Sequence, residues 1–222
     1  MEKMEKRPCR QYLCMTVGYL EQVISDFGFG IAVKHPESID LPKSTIYQMA
    51  IREILKHPHP TLRKKSKVVT EFNEKLKQLV ADMADTMYDA PGAGLAAPQI
   101  GVLQRVVIMD VTSKEEENQL IVLVNPEILH GEGSQVGEEG CLSVVDYTAK
   151  VKRFEKIHVR TQNMEGKESE FEAEGWFARV IQHELDHIDG VLFIDHLSGL
   201  KRALYKKQRK KQLREEKHVS HD

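Results

Sequence analysis

Gly175-Trp-Phe-Ala-Arg-Val-Ile-Gln-His-Glu-Leu-Asp-His-Ile188 is the stretch on which the reading of this chain turns. Apolar residues recur through it at helical spacing and Gly190 supplies a stop just beyond, so the segment is predicted to be one helix. His183 and His187 lie four positions apart, which is one turn plus about 40 degrees, so both rings project from one face and can share a cation. Glu184, beside the first of them, can reach a water on that cation and act as general base. Trp176 and Val180 fall on roughly the same face and would seat the ligands in an apolar wall. Phe177, Ile181 and Leu185 would anchor the opposite side in a core. Two neutral imidazoles in so apolar a helix need partners, which favours a metal over a pair of surface histidines.

Two histidines leave a catalytic metal short of the three protein ligands it usually takes. Upstream lies Glu139-Gly140-Cys141-Leu142-Ser143, a glycine-bearing turn that could carry the Cys141 sulfur to another element. A lone cysteine is ordinarily a small buried hydrophobe. Here the glycine and the incomplete ligand set weigh towards a thiolate ligand, with His196 a weaker candidate. A third segment, Gly92-Ala93-Gly94-Leu95-Ala96-Ala97-Pro98-Gln99, is a small-residue loop that allows a backbone to approach a ligand closely. Gln99 adds an amide able to donate to a developing oxyanion. The glycine spacing is not that of a phosphate-binding loop, which removes the nucleotide reading.

Working outward, Asn73 is a plausible N-cap for a helix whose stripe is Leu76, Leu79, Val80, Met83 and Met87, stopped by Pro91 and Gly92. Strands are predicted at residues 105–111, 120–125, 149–154, 156–162 and 168–173, with a glycine-rich loop before 149 and a turn at 163–167. A further short strand is expected at 191–194, and residues 50–55 read as a strand or an extended arm. Strands in series around one helix give an α+β fold, mostly antiparallel strands packed around a central metal-binding helix, with a C-terminal helix. Residues 201–222 carry many Lys and Arg and read as a solvated basic helix or tail, with contact to structured RNA as the sharper alternative. Residues 1–48 lack periodicity. They are expected to be a poorly structured extension of doubtful authenticity, with Met49 as the natural start and residues 49–200 as the catalytic domain.

Of 222 residues, 41% are hydrophobic and 30% charged, with a net charge of −2, so no strong overall attraction to nucleic acid or anionic membrane is expected. No uninterrupted apolar stretch is long enough for a membrane span. Three cysteines do not make a disulfide framework at this length, and the expected compartment is the cytoplasm.

GAGLAAPQ at 92–99, EGCLS at 139–143 and HELDH at 183–187 together resemble, in order and separation, the three signature motifs of the peptide deformylases. The resemblance covers residues of about 50–200. It implies a substrate that is a nascent N-formylmethionyl polypeptide and products that are formate and a free amino terminus. Cys141, His183 and His187 would bind the metal, and Glu184 would take a proton from water and deliver it to the departing amine. Gln99 and the backbone N–H of Leu142 would hold the formyl oxygen as it gains charge. Gly94 resembles the position whose backbone binds the substrate main chain, and Arg153 matches an arginine that supports the metal site. The methionine side chain would sit against Ala93, Gly137, Trp176 and Val180. One thiolate and two imidazoles suggest zinc on general grounds. The resemblance instead implies Fe2+, with Ni2+ or Co2+ as working substitutes and Zn2+ less active. Where the family commonly has proline two residues after the motif serine, this chain has Val145 following Ser143-Val144, with no ligand lost.

Two other readings share parts of this pattern. A metallopeptidase cleaving internal bonds has the same helix motif, and a basic RNA- or ribosome-binding module would rest on the tail alone. A monomer is expected, with ribosome contact through the tail as the one partner beyond substrate. Deleting residues from about 203 onward is expected to leave small-substrate turnover nearly intact.

Overall fold

Strand β2, Val106–Met109, is buried along its whole length, and its alternation assigns the two faces of the central sheet. Val106 and Ile108 point into one apolar cluster, and Val107 and Met109 into another. In the computed structural model, which describes residues 50–112 and 119–219, that sheet has the order β1-β2-β3-β6-β7. The other strands are β1 (Gly94–Ala96), β3 (Ile121–Glu132), β6 (Lys156–Gln162) and β7 (Glu168–Glu174), and every neighbouring pair is antiparallel. The expectation for residues 1–48 lies outside the described residues.

Helix α1, Glu74–Asp89, covers one face. Asn73 caps it by accepting from the N–H groups of Lys75 and Leu76, and Met83 and Met87 are fully buried against Val106, Ile108 and Val122. Helix α2, Gly175–Ile188, covers the other face, packing Phe177, Val180, Ile181 and Leu185 onto Val107, Ile121 and Leu123. The α+β fold, the antiparallel sheet and the central helix are as expected.

Three local expectations are corrected. The glycine-rich segment before residue 149 is not a loop: Gln135–Cys141 forms β4 and pairs with β5, Val144–Arg153, as a hairpin of its own beside the main sheet. Its polar outer face and glycines hid the alternation. Residues 191–194 are not a strand, because Phe193–His196 is a 3-10 helix whose Phe193 and Ile194 look strand-like only through their burial. Part of the small-residue loop is the edge strand β1. Of the two readings of residues 50–55 the extended arm holds: they join no sheet, and Leu55 N–H bonds Gln99 O at 2.7 Å.

The C-terminal helix α3, Gly199–Val219, presents exposed Lys201, Lys206, Lys207, Lys210 and Lys211 as expected. It is not solvated all round, however. Tyr205 is buried in the cluster that holds Cys141 and Phe193, and Arg209 donates from Nε to His57 O at 2.9 Å. No helix among the described residues is long and apolar enough to cross a membrane.

Candidate metal centre

Cys141 closes β4 at the turn of the β4–β5 hairpin, where it pairs with Val144. That turn is pinned from outside by the extended arm: Lys56 Nζ donates to Leu142 O at 2.6 Å and His57 N–H to Ser143 O at 2.8 Å. The turn faces the His183 and His187 side of α2. One donor atom from each of Cys141, His183 and His187 falls within 4.8 Å of the other two, and all three residues are buried. The Cys141 sulfur lies 3.2 Å from His187 Nε2. His183 bonds through Nδ1 to Glu139 Oε2 at 3.0 Å, which makes Nδ1 the protonated nitrogen and leaves Nε2 as a lone-pair donor. His196, the weaker candidate, is elsewhere: its Nε2 bonds Asp186 Oδ2 at 2.7 Å.

A small cleft opens on this cluster, walled by Ala93, Gly94, Gln99, Gly140, Leu142, Val180 and Glu184. Glu184 is buried, and its Oε2 has no hydrogen-bond partner among the described residues. A Cβ built on Gly94 would stand 2.5 Å from Glu184 Oε1, so any other residue there would push the Glu184 carboxylate aside. Gln99 accepts from Ala96 N–H through Oε1 at 2.8 Å, which turns its NH2 towards Ser143 Oγ at 3.2 Å and the Cys141 sulfur at 3.6 Å. Of the four residues expected around a substrate side chain, Ala93 and Val180 line the cleft. Gly137 lies instead against the Arg179 guanidinium, and Trp176 is partly buried at the start of α2.

Three comparisons bear on these residues. The sequence profile of the polypeptide deformylase family matches residues 51–203. The peptide deformylase of Acidobacterium capsulatum is 53% identical over 156 residues, spanning 70% of this chain and 92% of that protein. The chain belongs to the polypeptide deformylase family. Another deformylase, from Thermodesulfovibrio yellowstonii, is 49% identical over 160 residues, 72% of this chain and 97% of its own length. The crystal structure of a deformylase from Legionella pneumophila superposes with a TM-score of 0.68 at 47% identity, covering 74% of this chain and 98% of that one. Deformylases remove the N-formyl group from nascent polypeptides in a metal-dependent reaction.

The electrostatics suit a deformylase site. Burial alone would raise the Cys141 thiol, but His187 and His183 bring it down to about 5, the direction a thiolate ligand needs. Burial pushes Glu184 up to about 7, against the opposing influence of the two histidines, which places a proton acceptor close to neutrality. Glu139 behaves in the opposite way. Burial disfavours its charge, yet hydrogen bonds from His183 and Arg153 hold its carboxyl well below the usual range. Arg153 donates Nε and Nη2 to Glu139 at 2.9 and 3.0 Å and Nη1 to Asp186 at 2.7 Å.

Glu139 and Arg179 were not singled out from the sequence. Glu139 stands two residues before Cys141, on the same face of β4, and a carboxylate at that register beside a ligand was the available signal. Arg179 carried none, since an arginine on an apolar helix reads as solvent-facing.

Proposed function

We propose that the deformylase reaction takes place at the cluster of Cys141, His183 and His187, with the residues of the cleft in distinct roles. The convergence of a thiolate and two imidazoles beside a buried carboxylate that lacks a partner carries this reading. The donor set fits a single divalent ion: a depressed thiol, two imidazoles and one histidine already oriented by a carboxylate. Cys141, His183 and His187 would hold that ion, and we assign it as Fe2+, with Ni2+ or Co2+ able to serve in its place and Zn2+ less active. When bound, the ion supplies Lewis acidity that makes water nucleophilic near pH 7 and polarises a carbonyl.

The chain's own residues do the rest. Glu184 accepts the proton of the attacking water and returns it to the amine nitrogen as the formyl C–N bond breaks, leaving formate and a free amino terminus. Gln99 Nε2–H and the Leu142 backbone N–H donate to the formyl oxygen as charge develops, each worth about 3 kcal/mol in the transition state. Gly94 presents its backbone to the substrate main chain. Ala93 and Val180 receive the methionine side chain. Glu139 and Arg153 hold the His183 tautomer.

The substrate is an N-formylmethionyl nascent chain met at the ribosome, to which the exposed lysines of α3 contribute phosphate contacts. The enzyme is assigned as a cytoplasmic monomer. Residues 1–48 are assigned as a segment outside the catalytic unit, which begins at residue 49 and takes in the buried side of α3, with the exposed lysines of 201–222 as its basic face. The deciding assay sets formyl-Met-Ala against its acetylated counterpart and an internal peptide, after anaerobic purification and metal analysis. Preference for the formyl peptide, with one iron per chain, is expected. Preference for the internal peptide would overturn the reading in favour of a peptidase.

A further inference from the structure

The ligands of the centre reside on two bodies that share no sheet. Cys141 belongs to the β4–β5 hairpin, a separate two-stranded sheet, while His183 and His187 belong to α2. Whatever fixes the hairpin on the helix therefore fixes the sulfur against the two nitrogens. Two straps do so near the hairpin's open end: Arg153 reaches from β5 to Asp186, and Gln182 bonds Phe154 N–H and O at 2.9 and 3.0 Å.

A further strap runs from the helix into the middle of the hairpin. Arg179 is 3% exposed, and its Nη1 donates to Glu139 Oε1 at 2.7 Å, to Val151 O at 3.1 Å and to Gly137 O at 3.4 Å. Gly137 and Val151 are paired across the hairpin, so one guanidinium ties both strands to α2. Its Nη2 adds Gln135 Oε1 at 3.3 Å. Gly137 leaves room for it: a Cβ there would lie 3.1 Å from three guanidinium atoms, and the group would have to give by a few tenths of an ångström.

Glu139 is where these straps meet the metal ligands. Its Oε1 accepts from Arg153 Nε and Arg179 Nη1, and its Oε2 from Arg153 Nη2 and His183 Nδ1. The Glu139 carboxylate therefore faces two guanidinium groups, that of Arg153, which it shares with Asp186, and that of Arg179. A buried charge left unpaired is costly, and a carboxylate free to rotate would no longer aim the imidazole it bonds.

We propose that Arg179 is a positioning residue for the metal centre: through Glu139 and the Gly137–Val151 pair it sets the Cys141 sulfur against His183 and His187. The inference rests on the metal-centre reading above, and the probe is Co2+ added to the metal-free full chain. Three quantities are measured: chelator-competition affinity, the thiolate-to-cobalt absorption band, and the melting temperature of the apo protein. Arg179→Met is expected to weaken cobalt binding by about tenfold or more and to shift the band, with Arg179→Lys recovering part of both. Arg179→Met that binds cobalt within about twofold of wild type with an unchanged band would overturn the inference, whatever its melting temperature. Should Arg179→Met fail to fold, Gly137→Val drives methyl groups into the guanidinium and displaces it while keeping its charge. The same direction of change is expected there, and wild-type affinity and band would again overturn it. Wild-type protein that shows no thiolate band, or a band that survives in Cys141→Ser, would overturn the metal centre itself as well.

Discussion

Glu184 is buried with Gly94 packed against its Oε1, its Oε2 has no hydrogen-bond partner among the described residues, and burial pushes it up to about 7. A carboxylate so placed is poised to exchange a proton rather than to hold structure. Glu184→Gln keeps the shape and removes the base, so metal content should stay near one ion per chain while kcat falls by about 10²–10⁴, checked by metal analysis alongside steady-state turnover. Full turnover in that variant would remove Glu184 from the mechanism. Glu139 makes a different forecast, because its folded pKa is depressed. The stability it contributes is present above the ordinary carboxylate value of 4.5 and is lost as pH falls below it. Melting temperature should therefore drop steeply from about pH 4.5 downward in the wild type. Glu139→Gln, less stable at neutral pH, should show a shallower acid slope, and equal slopes would count against the Glu139 cluster as the source.

Among the elements, α3 departs furthest from its sequence-based expectation. Tyr205 is 1% exposed and packs its ring 4.9 Å from Tyr147 and 5.4 Å from His57, within the cluster that backs Cys141. Truncation from residue 203 would remove that ring together with the Arg209–His57 bond, so the expected loss is of folded, active protein as well as of surface charge. Tyr205→Ala should cost about 3 kcal/mol in chemical denaturation. Tyr205→Phe removes only a hydroxyl without a partner among the described residues and should stay within about 0.5 kcal/mol. A Tyr205→Ala variant of unchanged stability would return α3 to the status of a solvated tail. Helices α1 and α2 were legible because each carries an apolar stripe and a clear stop. Strand β4 was not, because a two-stranded hairpin outside the main sheet can be polar and glycine-rich along its free face.

For the whole molecule, the centre is assembled by three-way docking of the hairpin, the arm at 50–57 and α2, none of which is adjacent to another in the chain. An ion held between two of those bodies links binding to folding. Chelation should therefore lower the melting temperature by several degrees. Ligand at about a hundred times its Kd stabilises the folded state by about 2.7 kcal/mol, and a chain of this size shifts about 2–4 °C per kcal/mol. Calorimetry with and without chelator checks this, and identical transitions would mean the ion contributes nothing to joining the hairpin to α2.

Spacing alone determined that His183 and His187 share a face with Glu184 beside them, because the helical repeat is local and fixes directions four residues apart. Three motifs in order placed Cys141, Gln99 and Gly94 in the same family of sites. Only the tertiary structure decided what holds them there: the clasp of Arg153, Arg179 and His183 on one buried Glu139, and the burial of Tyr205 behind the sulfur. Those contacts join residues from different elements, and whether a charged or aromatic side chain is solvated or buried depends on what folds over it, which no local period encodes.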